Sequence, residues 1–218
     1  MTKVQICWTS GVTEAEMSAV RTAVNDVLNH VSPDFSVEVA AEACEADSWV
    51  ASCRTQNERG YGPQIDATCV LTNQIPATLA KYQISRLTVV LTEADITASG
   101  NKFLFGAEQP VGPLKVGAIL SVARLRESVM AEQVLRRLAR HEFGHALGLI
   151  PESRSTNVAT EVGLHCTNVC TMRQGMCLAE FEDLTQEEER ANVDFCGECL
   201  DYLKTGVRSL KVIFGDWP

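Results

Sequence analysis

The sequence has no run of about 18 uninterrupted apolar residues, so it offers no candidate membrane-spanning helix. Its first ten residues, "MTKVQICWTS", lack the apolar stretch of a signal peptide and read better as a first strand. Basic residues are outnumbered: 19 Lys and Arg against 28 Asp and Glu give a net charge of −9, and no basic cluster tracks a helix face. Neither nucleic acid nor a membrane is therefore an expected partner, whereas a basic peptide or protein is compatible with that charge. Repeats and low-complexity tracts are absent. Histidine is scarce, with four in 218 residues, at positions 30, 141, 145 and 165.

What is present is enough for a core. Hydrophobic residues make up 45% of the chain, and the length fits one domain, or one domain of two subdomains around a cleft. The nine cysteines are an odd number. Without a leader, a reducing, cytoplasmic setting and thiolate chemistry are expected rather than a disulfide framework. Cys166, Cys170, Cys196 and Cys199 lie close together in the last quarter of the chain. Cys7, Cys44, Cys53, Cys69 and Cys177 are scattered and are expected to be mostly buried small hydrophobes.

Patterning predicts a strand at "KVQICW" and then a helix. Thr13 is its N-cap, Glu16 has capping-box spacing, and Met17, Val20, Val24, Val27 and Leu28 form its apolar stripe. Further strands are expected at "FSVEVAA", "RLTVVLTEADI", "KFLFGAE" and "KVGAILSVARL", with "QPVGP" as a loop. A long helix is expected over 128–149, with Val134, Leu138, His141 and His145 on one stripe and Gly148 as its stop. Residues 44–80 carry no clear pattern. After Gly148 the chain reads as irregular to about Leu184, followed by a helix over "TQEEERANVDF" and a helical turn at Cys199–Leu203. This order predicts an α/β (α+β) layered domain.

The stretch "HEFGHALG", from His141 to Gly148, carries the chemistry. His141 and His145 are four residues apart, which on a helix puts both imidazoles on one face, close enough to share a tetrahedral metal. Glu142 lies beside them and is free to take a proton from a metal-activated water and return it to a leaving amine. Two histidines are too few for a catalytic zinc. The stretch resembles the zinc helix of the metzincins, in which a third histidine follows six residues after the second; at that position this chain has Pro151. Of the two remaining histidines, His30 ends the first helix and His165 lies downstream in "GLHC", so His165 is the candidate. The pairs Cys166/Cys170 and Cys196/Cys199 can enclose a structural zinc with four thiolates; four free thiols in a small core are the alternative.

These words occur in a known order. "HEFGHALG", then "GLHC", Cys170-Thr171-Met172 and "CGEC", preceded by "VVLTEADI", "FLFGAE" and "GAILSVARLR", resemble the archaemetzincins over about residues 85–203. The resemblance implies a metzincin-like fold: a mixed twisted sheet with two long helices and a small zinc-stapled C-terminal subdomain, divided as 1–148 and 149–218. It implies a zinc metallopeptidase acting on peptide or protein substrates, with two Zn²⁺ per chain. His141, His145 and His165 would hold the catalytic ion, Cys166, Cys170, Cys196 and Cys199 the structural one. Gly148 would make the turn, and Met172 would be the Met-turn residue beneath the ligands. Phe103, Leu104, Phe105, Gly106 and Ala107 would form the substrate-binding edge strand.

The chain departs from the family pattern in three places. "LIPESRSTNVATEVG" stands as an insertion before the third histidine, Cys166 and Cys170 are one residue closer than usual, and the gap from Met172 to Cys196 is longer. Because the insertion starts beside the metal, Glu152–Val162 is expected to act as a lid or to shape the cleft. Three other readings remain open at this point: a zinc hydrolase with Glu180 or Glu182 as third ligand, a latent enzyme with a cysteine on the open metal position, and an inactive zinc-stabilised protein- or peptide-binding module.

Overall fold

The computed structural model describes residues 2–30, 37–41, 46–56, 63–75, 87–98, 102–110 and 116–214. β1 (Thr2–Trp8) sends Val4 and Ile6 into one core and Cys7 into a second core on the opposite face. β5 (Leu87–Thr92) divides Val89 and Leu91 from Val90 in the same way, and β8 (Val116–Ser121) divides Leu120 from Ile119. This period-two alternation of apolar residues on both sides marks a sheet covered on both faces. With β2 (Val37–Ala41) and β7 (Gly106–Pro110), these strands form a five-stranded sheet in the order β2-β1-β5-β8-β7. The first four are parallel and β7 runs antiparallel to β8, leaving β7 as an edge.

α1 (Glu14–Asn29) begins with the expected capping box. The Glu16 amide donates to Thr13 Oγ1 at 3.3 Å, and the Thr13 amide donates to the Glu16 carboxylate at 2.8 Å. Its stripe of Met17, Val20, Val24, Val27 and Leu28 is buried, and α1 packs beside α4 (Ala131–Ala146) on one face of the sheet. α4 contributes Val134, Leu135, Leu138 and Phe143 to the same core. Each such side chain stabilises the fold by about 1.5–3 kcal/mol. The helix is thereby clamped against the sheet, and its remaining face is left for polar work.

The unpatterned 44–80 region covers the other face of the sheet. Its described parts are α2 (Ala46–Ser52), α3 (Ala67–Cys69, continuing as a π-helical turn over Val70–Gln74), and a small sheet of β3 (Arg54–Gln56), β4 (Pro63–Asp66) and β6 (Ile96–Thr97). Here the expectation about cysteines is corrected. Cys53 and Cys69 form a disulfide, and Cys7 is disulfide-bonded as well. Cys53 just after α2 and Cys69 in α3 are brought to a Cα separation of 5.7 Å by shared packing in the second core, within bridging range. Cys177 is exposed rather than buried. Cys44 lies outside the described residues.

Boundaries shift elsewhere. The strand expected at "KFLFGAE" starts only at Gly106 and runs on to Pro110, into the expected loop; Leu104 makes an isolated bridge to Ile96. An edge position tolerates that terminal proline, whose missing N–H would break the ladder of an inner strand. β9 (Val158–Ala159) and β10 (His165–Cys166) form a small antiparallel pair out of what read as irregular chain. α5 covers Leu178–Ala191, seven residues earlier than the expected start at Thr185, and Asn192 stops it at φ 51°. Its buried face is Phe181, Thr185 and Glu188, and the two polar members hide its period. α6 (Gly197–Phe214) is a full helix rather than one turn. Among the described residues, no helix is long and apolar enough to cross a membrane.

Candidate active site and metal centres

α4 ends in a Schellman motif. The Leu149 amide donates to the Gly144 carbonyl at 3.1 Å and the Gly148 amide to the His145 carbonyl at 2.9 Å. Gly148 takes φ +77°, a conformation that strains any residue with a Cβ. The chain therefore leaves the helix at Gly148, three residues after His145. Pro151 opens a short turn closed by the Arg154 amide on its carbonyl at 2.9 Å, and β9 and β10 then return the chain beside the helix. That return brings His165 to the histidine pair.

The ligand atoms of His141, His145 and His165 lie within 4.8 Å of one another. The rings of His141 and His165 are stacked at 5.2 Å, and His145 meets His165 edge-on at 4.9 Å. His141 Nδ1 lies 2.8 Å from the Thr171 carbonyl oxygen. A carbonyl only accepts, so Nδ1 carries the proton and Nε2 keeps its lone pair. Burial first, then the neighbouring His145, holds the His141 pKa well below its ordinary value; burial, then His165, brings His145 down to about 3. Neutral imidazoles are the form that binds metal. Among the described residues, His145 Nε2 and His165 Nδ1 are buried with no hydrogen-bond partner, a costly arrangement for polar atoms and a fitting one for ligands. The three residues thus fit a zinc ion with one position left open.

Glu142 lies on the same helix turn, only 8% exposed. Burial first, then the charge of Glu108, pushes its carboxyl up to about 8; a divalent cation alongside would draw it back down. Its side chain lies against the edge strand: a Cβ at Gly106 would sit 2.6 Å from Glu142 Cγ. The acidic group and the strand edge therefore face one cleft, a cavity of about 370 Å³ lined by Phe103, Phe105, Leu138, Glu142 and Phe181. Val162 and Met176, also in its lining, are exposed apolar residues. Of the five residues expected as substrate strand, Gly106 and Ala107 are in β7, Phe105 is buried, and Phe103 packs edge-to-face on Phe105 at 5.5 Å. Leu104 bridges Ile96 and packs against the other core while also lining the cavity.

Met172 is fully buried against α4, and a Cβ at Gly144 would lie 2.6 Å from its Sδ. The turn carrying Met172 is fixed by a group that sequence reasoning passed over. Arg137, one helical turn before His141, is fully buried; its Nε donates to Glu188 at 2.9 Å, and its Nη2 donates to the carbonyls of Thr171 at 3.2 Å and Arg173 at 2.6 Å. Thr171 Oγ1 donates to the other Glu188 oxygen at 3.1 Å. The Thr171 carbonyl thus receives both Arg137 and His141. The only signal for Arg137 in the sequence was its place four residues before His141 on the metal stripe.

The second cluster is Cys166, Cys170, Cys196 and Cys199, whose sulfurs also lie within 4.8 Å of one another. A tetrahedral zinc with Zn–S bonds of about 2.3 Å needs sulfurs about 3.8 Å apart. Cys166 Sγ and Cys196 Sγ are 3.7 Å apart, so the set fits such an ion.

The other residues weighed as ligands lie outside the histidine group. Glu180 and Glu182 are not in the histidine group; Glu180 caps the Met176 amide at 2.7 Å and Glu182 accepts from Ser128. The cysteines near His165 form their own group. His30 packs on Phe195 at 5.8 Å and pairs with Asp194, apart from both clusters.

No family model matches the chain. It is 28% identical over 181 residues to a protein named archaemetzincin from Archaeoglobus fulgidus, a span of 83% of this chain and 91% of that one. Three crystal structures share its fold. Archaemetzincin from Methanopyrus kandleri matches with a TM-score of 0.61 at 21% identity, covering 95% of this chain and 96% of that one. Archaemetzincin from Archaeoglobus fulgidus, complexed with malonate, matches with a TM-score of 0.55 at 24% identity over 92% and 99%. A zinc-dependent peptidase from Methanocorpusculum labreanum matches with a TM-score of 0.59 at 20% identity over 92% and 99%.

Proposed function

We propose that this chain, a homologue of archaemetzincin, is a zinc metallopeptidase of the metzincin kind that hydrolyses peptide or protein substrates. The observation that carries the reading is the convergence of the ligand atoms of His141, His145 and His165, with Glu142 on the same helix facing a cleft bordered by the edge strand β7. The three histidines hold one zinc and the four cysteines a second, structural one. When bound at the histidines, zinc supplies a Lewis acid that polarises a carbonyl and acidifies water. Glu142 accepts the proton of the attacking water on its carboxylate and delivers it to the leaving nitrogen. β7 binds the substrate as an added strand through main-chain hydrogen bonds. The apolar walls of the cleft exclude water from the reacting bond.

Met172 serves as the Met-turn residue, keeping the floor of the histidine site apolar while Thr171 orients His141. The boundary between the two subdomains falls at Gly148, where the metal helix ends. The Cys53–Cys69 disulfide favours an oxidising compartment over the cytoplasm expected from the sequence.

The test is peptide hydrolysis by purified wild type and Glu142→Gln, with metal content measured on both. The variant should retain its zinc and lose about 10²–10⁴-fold in kcat. Hydrolysis at the wild-type rate would remove Glu142 from its role.

A further inference from the structure

The insertion before His165 holds a buried charge that the proposed chemistry does not use. The Arg154 side chain is fully buried although it sits in a polar loop. Its Nη1 donates to Cys199 Sγ at 3.1 Å and its Nη2 to Cys166 Sγ at 3.2 Å. The rest of the guanidinium is taken up by the carbonyls of Thr156 at 3.0 Å and Asn157 at 3.2 Å and by Glu198 at 3.0 Å. The other two sulfurs have donors of their own: the Cys196 amide reaches Cys170 Sγ at 3.4 Å, and Asn168 Nδ2 reaches Cys196 Sγ at 3.5 Å. All four thiolates are therefore hydrogen-bonded, half of them by one arginine.

We propose that Arg154 is a positioning residue of the cysteine metal site, which pins the insertion onto that site and thereby sets the hairpin carrying the third histidine. The proposal rests on the reading that the four cysteines hold zinc. Four thiolates around one divalent ion leave excess negative charge in a buried place, and a guanidinium fork offsets it with two directed bonds. The same anchor fixes the route of the chain. Two and three residues beyond Arg154 lie Thr156 and Asn157, whose carbonyls it holds; the Asn157 carbonyl also accepts the Thr167 amide at 3.0 Å. β9 and β10 follow, pairing Val158 with Cys166 and Ala159 with His165. The insertion is thus a strap between the two metal sites rather than a free lid, with Val162 reaching the cleft.

The experiment compares full-length wild type, Arg154→Met and Arg154→Lys. It measures zinc per chain, the rate of zinc release to a chelator, and the sulfur-to-metal charge-transfer band of the cobalt-substituted proteins. Wild type should hold a zinc that resists the chelator and is retained in His165→Ala. Arg154→Met should release that zinc about 10–100-fold faster, the usual effect of losing an outer-shell partner. Its cobalt band should move to lower energy, because thiolates without donors give up charge more easily. Arg154→Lys keeps charge and bulk but not the fork, so it should fold readily and restore the band only in part. Unchanged release and an unchanged band in both variants overturn the role of Arg154 while leaving the zinc reading intact. A wild-type protein with no cobalt–thiolate band overturns the zinc reading itself, and the proposal with it.

Discussion

His165 and Cys166 are consecutive residues of β10 that belong to different clusters, one with His141 and His145, the other with Cys170, Cys196 and Cys199. Neighbouring side chains on a strand point to opposite faces, so a single peptide unit separates the two sites. Each site can therefore lose a ligand without the other losing one.

His165→Ala should bring the metal content from two ions per chain, one for each cluster, to one. Peptide hydrolysis should fall by at least about a hundredfold, since two imidazoles alone do not complete a catalytic zinc site. Elemental analysis of wild type and variant decides the matter. An unchanged metal content would move the third ligand to another residue, and loss of both ions would show that β10 folds only with its histidine in place.

The Arg137–Glu188 pair makes a different kind of prediction. Removing one partner by Arg137→Met leaves a buried carboxylate uncompensated and should cost about 3–5 kcal/mol in a urea melt. The double variant Arg137→Met, Glu188→Met replaces the pair with apolar groups of similar volume and should recover most of that loss. It should not recover metal binding. The Thr171 carbonyl would keep His141 as its donor but lose the arginine that holds it in place, and zinc affinity should drop about 10–100-fold. Wild-type affinity in the double variant would show that the turn is held without this network.

How much of this was legible follows from where each signal lies. His141, Glu142 and His145 could be read because helical periodicity converts spacing into proximity. His165 could be read because histidine is so scarce. The capping box and apolar stripe of α1 were visible for the same reason: they are local patterns. Arg154 left no trace, since one arginine in "PESRST" looks solvated until the chain returns the cysteines to it. Glu188 hid in an acidic run, and with it the buried face of α5. The Cys53–Cys69 pairing depends on α2 and α3 packing on one face of the sheet, which no period in 44–80 announces. The edge strand is expected a few residues early because Phe103 and Phe105 look like strand, whereas they precede β7 and pack edge-to-face on one another.

The junction of α1 with the segment preceding α4 should be sensitive to acid. Arg126 Nε lies 2.7 Å from Glu16, the carboxylate of the capping box. The hydrogen bond from Arg126, outweighing partial burial, holds the Glu16 carboxyl below its ordinary value of 4.5. The folded state thus keeps this group ionised to lower pH than the unfolded chain does. The stabilisation is fully present above the unfolded pKa and is lost as pH falls through the folded one. Arg126→Met should cost about 0.2–1 kcal/mol near neutral pH, the range of a partly exposed pair. The gap between wild type and variant should close as the pH is taken well below the ordinary carboxylate range. A gap that stays constant with pH would assign the effect of Arg126 to its contact with the Gly11 carbonyl at 2.8 Å instead.

The disulfide separates stability from metal binding. Cys53 and Cys69 are 16 residues apart in sequence, and closing a loop of that size in the unfolded chain stabilises the fold by about 3 kcal/mol. The bridge belongs to the second core, across the sheet from α4 and the histidines. Cys53→Ala with Cys69→Ala should therefore lower the melting temperature and leave zinc content and release rate as in wild type. Peptide mapping of the unreduced protein should find the two cysteines linked, while Cys166, Cys170, Cys196 and Cys199 resist alkylation as long as metal is bound. Mapping that finds Cys53 and Cys69 alkylated without reduction would return the chain to the reducing setting its sequence suggested. A double variant that loses zinc along with stability would show that the two faces of the sheet are coupled through the strands between them.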